Sequence, residues 1–180
     1  MKTIKVNLSA KSFHDAADQI RAYKNDLNEK CRQLCLELCK EGAEIAGVYI
    51  AESSLGKYVT VASEITPEKA GCKAVLYMED SQKIISQWQT LDGVQKKEIS
   101  PSLMIEFGAG LMAQNPTGIP GVGAGTYGTH GTDPGGWWYM DLKGEWHHSR
   151  GTMALLPMYN TGKELSRKVI EAARKVREND

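Results

Sequence analysis

The side chains best suited to chemistry sit in one short stretch. Within WWYMDLKGEWHHSR, Trp137 to Arg150, the chain gathers Asp141, Glu145, His147 and His148, with His130 not far upstream. Carboxylates and imidazoles in such proximity are what a divalent metal or an acid–base pair requires. The spacing works against a shared ion, because adjacent residues on a strand point to opposite faces and His147 and His148 would diverge. No H-E-x-x-H sets two imidazoles one helical turn apart, and no G-x-S-x-G or Cys/His nucleophile signature occurs in its required context. A small metal-dependent hydrolase using Asp141, Glu145, His147 and His148 stays open as an alternative. The plainer reading is a set of polar hairpin residues.

The four cysteines form the second chemical group. Cys31, Cys35 and Cys39 recur every four residues, which stacks them along one side of a helix and does not resemble a disulfide framework. In a chain without an export signal they are expected to be reduced, small core residues. A zinc would need Cys72 as fourth ligand from a strand, and no C-x-x-C supports it.

A literal G-x-G-x-x-G occurs at Gly123, Gly125 and Gly128. That motif binds phosphate only where it joins a strand to a helix N-terminus. Here Asn115-Pro116-Thr117-Gly118-Ile119-Pro120 precedes it and Thr129-His130-Gly131-Thr132-Asp133-Pro134 follows, so neither element is available, and no G-K-[ST] makes a P-loop. No cofactor is expected.

The elements that must position these groups follow from periodicity. Trp137 to Arg150 reads as a hairpin, its two aromatic-rich arms turning at Leu142-Lys143-Gly144-Glu145. Its Trp137, Trp138, Tyr139 and Trp146 are either core or anchors for a neighbouring subunit. Gly108 to Gly136 holds ten glycines and three of the six prolines in 29 residues. Such a segment buries too little apolar surface to offset its backbone entropy and is expected to be a long mobile loop. Lys2 to Leu8 alternates like a short strand. From a cap at Ser12, the residues Phe13, Ala17, Ile20, Leu27, Cys31, Leu34, Leu38 and Ile45 trace one helical stripe, with a second cap-like signal at Asn25-Asp26 and Glu29 that predicts a kink or break. A helix lying on a sheet and a coiled coil share that stripe. Val48 to Ala51, Tyr58 to Ile65 and Lys73 to Met78 read as strands of an antiparallel meander, and Ile84 to Thr90 as an extended segment or single helical turn. A final helix carries Leu165, Val169, Ala172, Ala173 and Val176. It starts at a Thr161–Glu164 capping box or one turn earlier at Pro157.

Together these elements predict an α+β fold: an antiparallel sheet packed against a long N-terminal helix and a C-terminal helix. The 180 residues suit a single domain, 1–180, in which roughly 108–150 form the loop and hairpin insertion. Lysine plus arginine equals aspartate plus glutamate at 22 each, so no overall field draws the chain to nucleic acid or an anionic membrane. MKTIKVNLSAKSF lacks the apolar core of a signal peptide, and Ile45 to Ala51 is too short to span a bilayer, which predicts a cytoplasmic chain with protein partners.

Ser100-Pro101-Ser102-Leu103-Met104-Ile105-Glu106-Phe107-Gly108-Ala109-Gly110, a glycine-rich insertion, then Leu156-Pro157-Met158-Tyr159 leading into the last helix resembles the head-tail joining or tail-completion minor structural proteins of tailed phages and prophages. The long first helix and the meander are similar to that family's order of elements, so the resemblance spans most of the chain. The insertion from Gly110 to Arg150 is longer than in the simplest members. The resemblance implies a non-enzymatic subunit that forms a ring with copies of itself at the head-tail junction or tail terminus. Its facing partners would be connector or stopper proteins and tail-tube or tail-terminator proteins, in a virion assembled in the bacterial cytoplasm. It also implies that Glu106, Phe107, Gly108 and Pro157 are structural, with Phe107 buried and Gly108 in a turn conformation other residues avoid.

Overall fold

A computed structural model describes residues 7, 9–90, 92–110, 136–141 and 143–178. The strand expected over Lys2 to Leu8, the glycine-rich segment, its G-x-G-x-x-G and His130 lie outside the described residues. Helix α1 runs unbroken over Ala10–Ala51, 42 residues. Ser9 caps it and Ser12 does not: the Ser9 Oγ accepts the Ser12 N–H at 3.3 Å, and the Ser12 Oγ accepts the Asn7 N–H at 2.8 Å in return. The expected break at Asn25-Asp26 does not occur. Asp26 pairs with Lys30 at 3.5 Å and Glu29 with Arg32 at 2.6 Å, partners that only a continuous helix brings together. Val48 to Ala51, expected as a strand, is the last turn of α1. Ala46 and Ile50, four residues apart, enter the core there, so burial at helical spacing overrides local strand propensity.

After a 3-10 turn at Gly56–Tyr58 come β1 (Val59–Glu68), β2 (Gly71–Asp80), β3 (Ile84–Thr90) and β4 (Gly93–Ile99). Helix α2 (Pro101–Phe107) follows, then β5 (Ala109–Gly110), β6 (Trp137–Met140), β7 (Trp146–Ser149), β8 (Gly151–Thr152) and α3 (Pro157–Glu178). The fold is α+β, with antiparallel sheets and a long helix toward each end. Of the two readings of Ile84 to Thr90, the strand is correct. Neither β4 nor α2 was anticipated: β4 is nearly all polar and exposed, and α2 has only seven residues.

The chain divides into two compact units. The first is Met1–Lys40, Glu64–Val75 and Lys168–Asp180. It buries Ala16, Cys39, Ala172 and Val176. The stripe of α1 is only partly buried in this unit: Phe13, Ile20 and Leu27 remain 56%, 57% and 48% exposed, and Leu34 and Leu38 are half-buried.

The second unit is Glu41–Ser63 and Leu76–Arg167. Its core joins Ala46 and Ile50 of α1, Ile84 of β3, Ile99 of β4, Met104 and Ile105 of α2, and Ala109 of β5. Full burial of an isoleucine such as Ile84 or Ile105 contributes roughly 1.5–3 kcal/mol. The sheet has four antiparallel strands in the order β4-β3-β6-β7, so the aromatic hairpin extends the sheet begun by β3 and β4. Within the same unit β5 pairs with β8, Ala109 opposite Thr152 and Gly110 opposite Gly151. Helix α3 starts at Pro157, the earlier of its two expected starts. Thr161, read as a cap, is instead a buried residue of its first turns, because a capping group outside the helix serves the Pro157 end.

Candidate functional site

The hairpin turn is organised by Asp141. Its Oδ1 accepts the backbone N–H groups of Lys143 at 2.9 Å and Glu145 at 3.0 Å, while its own N–H donates to the Glu145 carbonyl. An aspartate preceding such a turn closes it with its side chain, and Gly144 supplies the required positive φ of 81°. The Asp141 Oδ2 lies 3.1 Å from His147 Nε2. The bond from the Glu145 N–H lowers the Asp141 carboxyl most; partial burial opposes it, and the His147 contact adds to the lowering.

Strand pairing sorts the aromatic residues onto two faces. Trp138 stands opposite His148, Tyr139 opposite His147, and Met140 opposite Trp146. Tyr139 and His147 stack with ring centres 5.3 Å apart. Tyr139 also packs against the core and aligns with the fully buried Ser86. The other face carries Trp138, Met140, Trp146, His148 and Ile85, since Ile85 aligns with Met140. Trp138 is 52% exposed and Trp146 40% exposed. Trp138 and His148 lie 5.1 Å apart there. Tyr139 therefore joins the core, while Trp138 and Trp146 lie on an exposed apolar face. The backbone of Trp137 pairs with Ser149.

The structure brings together only part of the expected metal group. Asp141, Glu145 and His147 offer donor atoms all within 4.8 Å of one another, so these three could hold a divalent cation at the hairpin tip. His148 is on the opposite face from His147, its ring tilted against Trp138, and cannot join them. The hydrolase alternative thus loses one of its four residues to strand geometry.

The motif segments form a second site. Glu106 is 8% exposed, and its carboxylate accepts the Met158 N–H at 2.9 Å and the Tyr159 N–H at 3.2 Å. It caps α3 from another part of the chain. The residue at the normal capping position, Leu156, has no side-chain oxygen and adopts φ 52°. Leu155 donates its N–H to the Ile105 carbonyl at 2.9 Å, which ties the two segments again. Gly108 ends α2 with φ 72° and ψ 171°, a region essentially restricted to glycine. Phe107, expected to be buried, is half-buried, because Ile105 and Met104 take the inward positions of this short helix.

Sequence reasoning missed the polar cluster at the start of α2. Asp80 accepts hydrogen bonds from the Ser100 hydroxyl and from the Ser102 N–H at 2.7 Å, and it pairs with Lys83. The legible signal was Ser100-Pro101, a capping residue followed by proline in the first turn. No helix among the described residues is long and apolar enough to cross a membrane. No protein-family model, curated protein or solved structure matches the chain.

Proposed function

We propose that this chain is a structural, non-enzymatic subunit of a tailed phage or prophage, assembling with its own copies into a ring at the head-tail junction or tail terminus. The observation that carries the reading is the Glu106 cap. The two segments whose sequence resembles the joining family, far apart in the chain, are held together by the Glu106 carboxylate, the Ile105–Leu155 bond and the β5–β8 pair. This closed base supports a role in which the segment between Gly110 and Gly151 is presented to neighbours. The exposed face of Trp138 and Trp146 supports it too, since tryptophans with half their surface in water serve well as interface anchors. Ring closure needs heterologous contacts whose rotation returns to its start. Deleting the encoding gene from its phage or prophage and imaging the particles tests the proposal. Unjoined heads and tails, restored by the gene in trans, are expected; intact infectious particles would reject it.

A second reading rests on α1. Phe13, Ile20 and Leu27 recur every seven residues and are about half exposed, which favours a dimeric coiled-coil adaptor. Native mass spectrometry with tail-tube protein present separates the two: a persistent dimer supports the adaptor, and a closed higher oligomer supports the ring.

A further inference from the structure

We propose that Cys35 and Cys72 are a redox-active pair, closing into an intramolecular disulfide when the protein meets a small-molecule disulfide oxidant. The two residues come from different elements of one compact unit, Cys35 on α1 and Cys72 near the start of β2. Their sulfurs are 2.8 Å apart. A bonded pair stands at about 2.05 Å, so well under 1 Å of travel separates the thiols from a disulfide. Each sulfur is also held in place: Cys72 Sγ donates to the Cys31 carbonyl at 3.3 Å, and Cys35 Sγ approaches the Cys72 carbonyl at 3.9 Å. The turn that delivers Cys72 depends on Gly71 at φ 108°. Both cysteines are partly exposed, whereas Cys39 is buried, so oxidant reaches this pair.

The reaction is two successive exchanges. The Cys72 thiolate attacks one sulfur of the oxidant, breaking its S–S bond and expelling one thiolate, which leaves a mixed disulfide on Cys72. The Cys35 thiolate then attacks Cys72 Sγ, forming the Cys35–Cys72 bond and expelling the second thiolate. Two protein thiols are oxidised, one external disulfide is reduced to two thiols, and the two cysteine protons pass to solvent or to the departing thiolates. Burial, reinforced by the hydrogen bond and the charge repulsion between Cys35 and Cys72, pushes the Cys35 thiol up to about 12. Cys35 is therefore protonated at neutral pH, and closure accelerates as pH rises through the alkaline range.

The test equilibrates the full chain with oxidised glutathione, quenches with acid, counts free thiols and maps peptides without reduction. The count should fall from four to two, with the Cys35 and Cys72 peptides joined. Cys31→Ser with Cys39→Ser should keep the crosslink. Cys35→Ser should stop at a glutathione adduct on Cys72. Four free thiols in protein shown to be folded by circular dichroism would overturn the proposal. So would a dominant bond to Cys31 or Cys39, intermolecular disulfides, or a stoichiometric zinc that shields the thiols until it is chelated. Because the peptide map is read on the unaltered chain, the result stands even if a variant fails to fold.

Discussion

The Glu106 carboxylate reaches the Met158 N–H at 2.9 Å and so supplies the cap that Leu156 cannot. Helix α3 thus depends on a residue some fifty positions earlier. Removing this acceptor leaves the Met158 and Tyr159 N–H groups without it in a part-buried setting. Glu106→Ala should lower unfolding free energy by about 2–3 kcal/mol, in the range for hydrogen bonds to a charged group, read from urea titration with the slope unchanged. Glu106→Gln retains an amide oxygen and should recover part of the loss. Equal stability of all three proteins would refute the cap.

Gly108 presents φ 72° and ψ 171° at the end of α2. A side chain there meets steric strain worth roughly 1–3 kcal/mol. Gly108→Ala should reduce the urea midpoint accordingly, and an unchanged midpoint would mean that the turn can relax.

Thr161 Oγ1 is buried with no hydrogen-bond partner among the described residues. Substituting an apolar group of the same shape removes a desolvation cost on the order of 1 kcal/mol. Thr161→Val should raise the melting temperature, while a drop would reveal a partner for the hydroxyl in solution.

Asp80 is shifted below its ordinary 3.8. Burial pushes the other way and is outweighed by the bonds from Lys83, Ser100 and Ser102. The folded chain therefore binds this proton less tightly than the unfolded chain. Its contribution is complete above pH 3.8 and is lost as pH falls through the lowered folded value. Asp80→Asn should be less stable than the parent at pH 6, and that gap should narrow toward pH 2; a constant gap would count against the assignment.

Trp138 and Trp146 lie outside the core, with Trp138 52% and Trp146 40% exposed, so changing them leaves the core residues in place. On the proposed ring reading, Trp138→Ser with Trp146→Ser should abolish incorporation into particles while circular dichroism shows the chain still folded. Normal incorporation would remove this face from the assembly interface.

Much of the architecture was legible because it follows from local spacing. The helices at both ends and the β1 and β2 strands carry a period of 3.6 or strand-forming residues in their own segments, and the aromatic hairpin carries its turn at Gly144; Ile84 to Thr90 is too short to decide. Errors arose where local signals competed with burial. Asn25-Asp26 looked like a helix start, yet the surrounding turns and their ion pairs continue through it. Val48 to Ala51 looked like a strand, yet Ile50 is placed in the core by helical spacing. In the hairpin, the separation of His147 from His148 was readable from strand period alone. Tyr139 turning inward and Trp138 outward was not readable, because the hairpin's own alternation does not say which face the core will cover.

The sequence by itself determined the two terminal helices, the β1 and β2 strands and the aromatic hairpin, and that the hairpin splits its histidines. These are properties of neighbouring residues, decided by backbone sterics and side-chain period. Only the tertiary structure decided that Glu106 caps α3, that Asp80 gathers Ser100 and Ser102, and that Cys35 meets Cys72. Each of these joins residues 20 or more positions apart, and such contacts exist only after the core has brought separate elements into register.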